Sequence, residues 1–130
     1  MHTLDQRRAA MAYAHVGDVA GTDEGDRQKY ASMVHTFPAL LASAGLCQAL
    51  HFVESRSKES QRLLVQHLAR QLQRVDGTIG SPGDLLDRAR SADITAYLRL
   101  TEEATQCAAW YRRMVQAVLQ LEAIDGDRED

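Results

Sequence analysis

A chain of 130 residues has room for one hydrophobic core and no second domain of ordinary size. Ala and Leu supply 34 residues against 18 for Val, Ile and Thr, with only two Pro, so good helix formers dominate and a β-rich fold is excluded. The formal charge of −3 argues against a nucleic-acid binder, and the lack of any long apolar run excludes a membrane-spanning helix.

Thr3 and Gln6 have the spacing of a capping box, which predicts a first helix from Leu4 to about Val19, with Leu4, Met11, His15 and Val19 near one face. Met1–Ala10 carries charges where a secretory leader needs an apolar stretch. Gly17, Gly21 and Gly25, interleaved with acids, read as a polar loop. A second helix is expected over Asp26–His35, stopped or kinked by Pro38, which is placed to open a third helix running through Gly45 to Phe52. Ser57 is the expected cap of a fourth helix, whose Leu64, Leu68, Leu72 and Val75 recur at helical spacing. Pro82 opens a short helix over Asp84–Arg90. The last helix is long, from about Ala92 to Leu121. Its expected stripe is Ile94, Tyr97, Leu98, Thr101, Ala104, Ala108, Tyr111, Val115, Val118 and Leu121. The reading is an all-α, single-domain bundle of five or six helices over residues 1–121, with an acidic, disordered tail over 122–130.

Catalytic and metal-binding signals are poor. The five His residues form no His-x-x-x-His or HExxH pattern, neither Cys47 nor Cys107 has a CxxC partner, and no phosphate-binding glycine loop or nucleophile elbow occurs. No metal and no cofactor is expected. His15, His35, His51 and His67 read as surface or half-buried helix residues, and Glu102-Glu103 as a solvated pair. Two cysteines are too few for a disulfide scaffold and suit a reduced, cytoplasmic setting.

The distribution of charge says more than its sum. Glu122–Asp130 holds five acids and one Arg, so residues 1–121 carry +1 and the acidity belongs to the tail. Between Glu54 and Val75 five basic residues, Arg56, Lys58, Arg62, Arg70 and Arg74, face only two acids. Thirteen of the fifteen basic residues are Arg, whose planar fork suits phosphate and bases. Composition alone leaves binding to RNA and binding to protein equally open.

A sequence order changes that balance. Lys29-Tyr30, then Phe37-Pro38, then Gly45-Leu46-Cys47-Gln48-Ala49-Leu50-His51-Phe52 resembles the small α-helical subunit of the Cmr (type III-B) CRISPR RNA-silencing complex, with its KY…(L/F)P…GL-x-QA-(L/I)-x-F pattern. Trp110-Tyr111-Arg112-Arg113 is similar to that family's aromatic-basic patch near the end. The resemblance implies a non-catalytic subunit that stacks beside its neighbours along the guide–target RNA duplex and helps hold the target strand. Its partners would be the other Cmr-type subunits, guide RNA and target RNA, with self-stacking and no membrane. Contacts would be to phosphate, because base pairing carries the sequence information. The expected RNA-binding residues are Lys29, Arg112 and Arg113 from motif positions, and Arg56, Lys58, Arg62, Arg70 and Arg74 from charge density. Within the motif, Tyr30, Leu46, Leu50 and Phe52 are expected in the core. The competing readings are a protein-only helical adaptor and a small metal-free enzyme.

Overall fold

Thr3 caps the first helix as its spacing requires. In a computed structural model of the chain, which describes residues 1–120, the Thr3 hydroxyl accepts from Gln6 N–H at 3.0 Å and the Gln6 side chain returns the bond to Thr3 N–H at 2.7 Å. Helix α1 spans Leu4–Ala20. It is followed by α2 (Glu24–Ala44), α3 (Leu46–Glu54), α4 (Glu59–Leu72), α5 (Pro82–Ser91) and α6 (Ile94–Met114), which continues as a π-helical turn over Val115–Leu119. All six helices are α, and no strand occurs among the described residues. The acidic tail and Leu121 lie outside the described residues.

Several expected boundaries move. Pro38 does not end a helix: α2 runs through it for 21 residues. Proline removes the hydrogen bond to the carbonyl four residues back and costs about 3 kcal/mol in a helix interior. The flanking Phe37 and Leu41 are buried, and their packing outweighs that cost. The break falls instead at Gly45, with φ 89° and ψ 166°, a backbone region that glycine alone adopts without about 1–3 kcal/mol of strain. Gly45 N–H caps the end of α2 by donating to the Leu41 carbonyl at 3.0 Å. The start of α3 has no side-chain cap of its own. The Tyr97 hydroxyl, from α6, accepts the Cys47 N–H at 3.0 Å.

Ser57 is not the cap of α4. That helix starts after Lys58, whose N–H donates to the Gln61 side chain, and it ends at Leu72 rather than Val75. Asp76 organises the turn that follows. Its carboxylate accepts from Thr78 N–H at 3.0 Å, from the Thr78 hydroxyl at 2.6 Å and from Arg88 at 2.7 Å, and these donors, the Thr78 hydroxyl foremost, hold its pKa down to about 2. Ser81 caps α5, with Pro82 at its first position.

Helix α6 is the spine, packing against all five other helices. Its buried face is Leu100, Glu103, Ala104, Cys107, Ala108 and Tyr111, extended by Val115. The expected stripe is therefore rotated at its start: Ile94 and Leu98 are 69% and 57% exposed. The first-helix face shifts likewise, with Ala12, Val16 and Val19 buried and Leu4 exposed. Tyr30, Leu46 and Leu50 are core as expected, whereas Phe52 is half-buried.

The centre of the bundle is aromatic and polar. His15 of α1 and His67 of α4 stack with centroids 4.1 Å apart and planes 9° from parallel, and Tyr111 of α6 continues the stack. Tyr30 Oη lies 2.7 Å from His67 Nδ1, and Tyr111 Oη lies 2.7 Å from His15 Nδ1. Gln71 donates to Tyr111 Oη at 3.3 Å, and Tyr111 Oη donates to the His67 carbonyl at 3.5 Å. His67 is thus a core residue, contrary to the surface reading. Burial, with His15 as the neighbouring ring, lowers its pKa to about 3. Burial also lowers the pKa of His15 and raises those of both tyrosines. The cluster is neutral and ties together four helices, α1, α2, α4 and α6.

Candidate nucleic-acid interface

The basic residues of the Glu54–Val75 segment do not form one surface, because three of them are engaged inside the structure. Arg56 lies with its guanidinium carbon 4.2 Å from the centre of the Phe52 ring, a cation–π contact. Arg62 donates to the Arg56 carbonyl at 2.7 Å, closing the loop between α3 and α4. Arg74 donates to Glu103 at 2.7 Å. Lys58 is exposed at the start of α4, in a groove it shares with Asp26 and Glu59, where its charge is opposed. Lys29 is half-buried on α2.

Glu103 overturns the solvated reading of Glu102-Glu103. It is buried, and it accepts from Arg8 Nε and Nη2, each at 2.8 Å, as well as from Arg74. Hydrogen bonding to Arg8, with Arg74 second, holds its pKa down to about 2 against the cost of burial. The Cys107 thiol donates to the same carboxylate at 3.5 Å, and burial raises its pKa. Arg8 also pairs with Asp5, which accepts from Trp110 Nε1 at 2.9 Å. The aromatic of the terminal patch is therefore used to bind α6 to α1. These ion pairs are structural, and the charge left for a ligand lies elsewhere.

Two grooves carry much of it. Arg7, Arg70 and Arg74, with Ala10, Met11 and Gln73, line an open groove of about 590 Å³ between α1 and α4. Arg112 and Arg113, with Pro38, Thr105, Ala109 and Gln116, line one of about 430 Å³ between α2 and α6. Arg7, Arg70, Arg112 and Arg113 are all exposed. None of the four has an ion-pair partner among the described residues. Arg7 is not among the residues that sequence reasoning singles out. Its signal is the Arg7-Arg8 pair on a helix, in which Arg8 turns inward to Glu103 and Arg7 stays out.

A guanidinium groove offers planar donors to phosphate or carboxylate oxygens. Among the described residues no group of three or more His, Cys, Asp or Glu is placed to hold a metal ion, and no helix is long and apolar enough to cross a membrane. Fold and surface together define a small all-helical domain with two arginine-lined grooves. The family model described as "CRISPR-associated protein (Cas_Cmr5)" matches residues 4–118. The chain is 39% identical over 120 residues to the CRISPR system Cmr subunit Cmr5 of Thermus thermophilus, covering 92% of this chain and 99% of that one. An X-ray crystal structure of a CRISPR-associated Cmr5 family protein from Thermus thermophilus superposes with a TM-score of 0.80 at 39% identity, over 92% of this chain and 99% of that one. The chain belongs to the Cmr5 family, as the central Lys29–Phe52 order suggested.

Proposed function

We propose that this chain is a non-catalytic small subunit of a CRISPR Cmr ribonucleoprotein, working in the cytoplasm and stacking side by side along the guide–target RNA duplex. The observation that carries the reading is the 39% identity to a Cmr subunit over nearly the whole of both chains. The two arginine grooves supply the chemistry. Each presents cationic forks without an internal counterion, suited to sequence-independent phosphate contact. Arg112, Arg113, Arg70 and Arg7 make the principal contacts. Arg56, Arg62 and Arg74 act by holding loops and helices in place.

Two double variants, Arg112→Gln with Arg113→Gln and Arg7→Gln with Arg70→Gln, test this in complexes reassembled from the other Cmr subunits and guide RNA. Each pair removed should weaken retention of target RNA and flatten its salt dependence by roughly one unit of log K against log salt, at about 0.7 per phosphate contact to a single strand. Absence of the chain from the purified assembly would refute the subunit role, and an unchanged salt slope in both variants would refute the phosphate contacts. Salt-insensitive binding to protein alone would favour a protein-only adaptor, to which the exposed Ile94 and Leu98 are suited.

A further inference from the structure

The two arginine grooves lie on opposite faces of the bundle. The four helices that meet at the aromatic centre follow one another in a ring: α1 packs on α6, α6 on α2, α2 on α4, and α4 closes back on α1. His67 of α4 and Tyr111 of α6 face each other across the middle of that ring. One groove opens along the α1–α4 edge and the other along the α2–α6 edge, and no described residue lines both. Side-chain directions agree. On α6, Trp110 reaches Asp5 of α1, and Arg112, two residues on, leaves the helix about 160° away from it. On α1, Arg8 turns in to Glu103 of α6, while Arg7 stays outside.

We propose that the chain is bivalent for RNA: each groove takes its own segment of phosphate backbone, and both segments are held at once on opposite sides of one subunit. This rests on the RNA-contacting role proposed above and adds the number and placement of the strands. The arginines without an ion-pair partner among the described residues are divided between the faces, Arg7 and Arg70 on one, Arg112 and Arg113 on the other. The edges between them oppose a crossing strand. At the α1–α6 edge stands Asp5, whose carboxylate is 55% exposed. Hydrogen bonds from Trp110 and Arg8 lower its pKa, so it stays ionised and repels phosphate. The α2–α4 edge carries α3, which packs on both helices.

Two strands can share so small a body because its thickness separates them. Two helices of about 10 Å each put the grooves roughly 20 Å apart, about two Debye lengths in 0.1 M salt, so one bound strand barely repels the other. A pair of arginines holds a strand weakly and in a salt-sensitive way. When the two segments belong to one assembly, capture of the second becomes intramolecular, at an effective concentration of roughly millimolar. The subunit then acts as a spacer, keeping two RNA segments one bundle apart.

The test uses the full chain and a single-stranded RNA of about eight nucleotides, within the usual range of single-strand site sizes, labelled with either a donor or an acceptor dye. At about 50 mM salt the parent should take up two oligonucleotides per chain by calorimetry, and sedimentation should give a complex of one chain with two strands. A mixture of the two labels should show energy transfer. Arg7→Gln with Arg70→Gln, and separately Arg112→Gln with Arg113→Gln, should each leave one strand per chain and abolish the transfer. Helicity and denaturation midpoint should not change, because none of the four has an ion-pair partner among the described residues. One strand per chain in the parent, weakened by both variants, makes the grooves a single site and overturns bivalence while the RNA-contacting role stands. One strand lost in only one variant overturns bivalence too, and leaves the other groove to an acidic protein surface. Energy transfer that persists in either variant, through pairs of chains, also overturns it. No uptake by the parent overturns both bivalence and the RNA-contacting role.

Discussion

Glu103→Ala is expected to cost about 3–5 kcal/mol of folding stability, the usual penalty for removing one partner of a buried ion pair. The carboxylate is only 7% exposed and is the shared acceptor for Arg8 and Arg74. Arg8 is itself 12% exposed, so its guanidinium cannot recover water when the acceptor is lost, and Asp5 is left as its remaining carboxylate partner. The cost is a large share of the roughly 5–15 kcal/mol that a domain of this size has in total. Arg74→Gln should cost far less, because that side chain is 26% exposed and can hydrate. Urea denaturation of the two variants, read for midpoint at constant slope, separates the cases. A loss below about 1 kcal/mol for Glu103→Ala would mean that the triad is not the clamp between α1, α6 and the turn after α4 that its geometry describes. The same reasoning governs RNA-binding tests: charge reversal at Arg74 would disturb the fold, so Arg7 and Arg70 are the informative positions in that groove.

Stability should also fall as pH drops from about 7 to 5, before any carboxylate is protonated. His67 has a folded pKa of about 3, below its ordinary value of 6.5, because burial opposes the charged ring. A depressed histidine means the unfolded chain binds more protons, so its contribution is complete above about pH 6.5 and is lost progressively as pH falls towards about 3. At pH 5 that loss is roughly 2 kcal/mol relative to pH 7.5. His15 is lowered for the same first reason, with Arg70 adding to the shift and Asp18 opposing it, so it acts in the same direction. Glu103 and Asp76, both held near 2, add their losses only below the ordinary carboxylate range. Denaturation midpoints measured across this window in the parent and in His67→Phe provide the check. The parent should show the slope and the variant should lose most of it; a flat parent profile would refute the buried neutral cluster.

Local rules made much of the fold legible. The Thr3–Gln6 box, the Pro82 start and the leucine spacing of α4 each depend on neighbours within a turn, and each appears where the sequence places it. The Lys29–Phe52 order likewise pointed to the right family. Pro38 and Gly45 mislead because both are local breakers, and only packing against the rest of the bundle decides which one yields. The polar centre was illegible for a different reason. His67 meets Tyr30 across 37 residues, and Glu103 meets Arg8 across 95, and no periodicity encodes such meetings. For the same reason charge density overestimated the free cations of the Glu54–Val75 segment: Arg56, Arg62 and Arg74 find partners through tertiary contact.

The Tyr97 hydroxyl on the Cys47 N–H gives α3 an unusual dependence. Nine residues without a cap of their own make a poor isolated helix. The acceptor that completes its first turn sits 50 residues downstream, on the spine. That hydrogen bond therefore forms only when α6 docks, and it closes a long loop. In hydrogen exchange the Cys47 amide reports the attachment of α6, not the helicity of α3. The glycine joint between α2 and α3 is thus a latch set in part by a distant element.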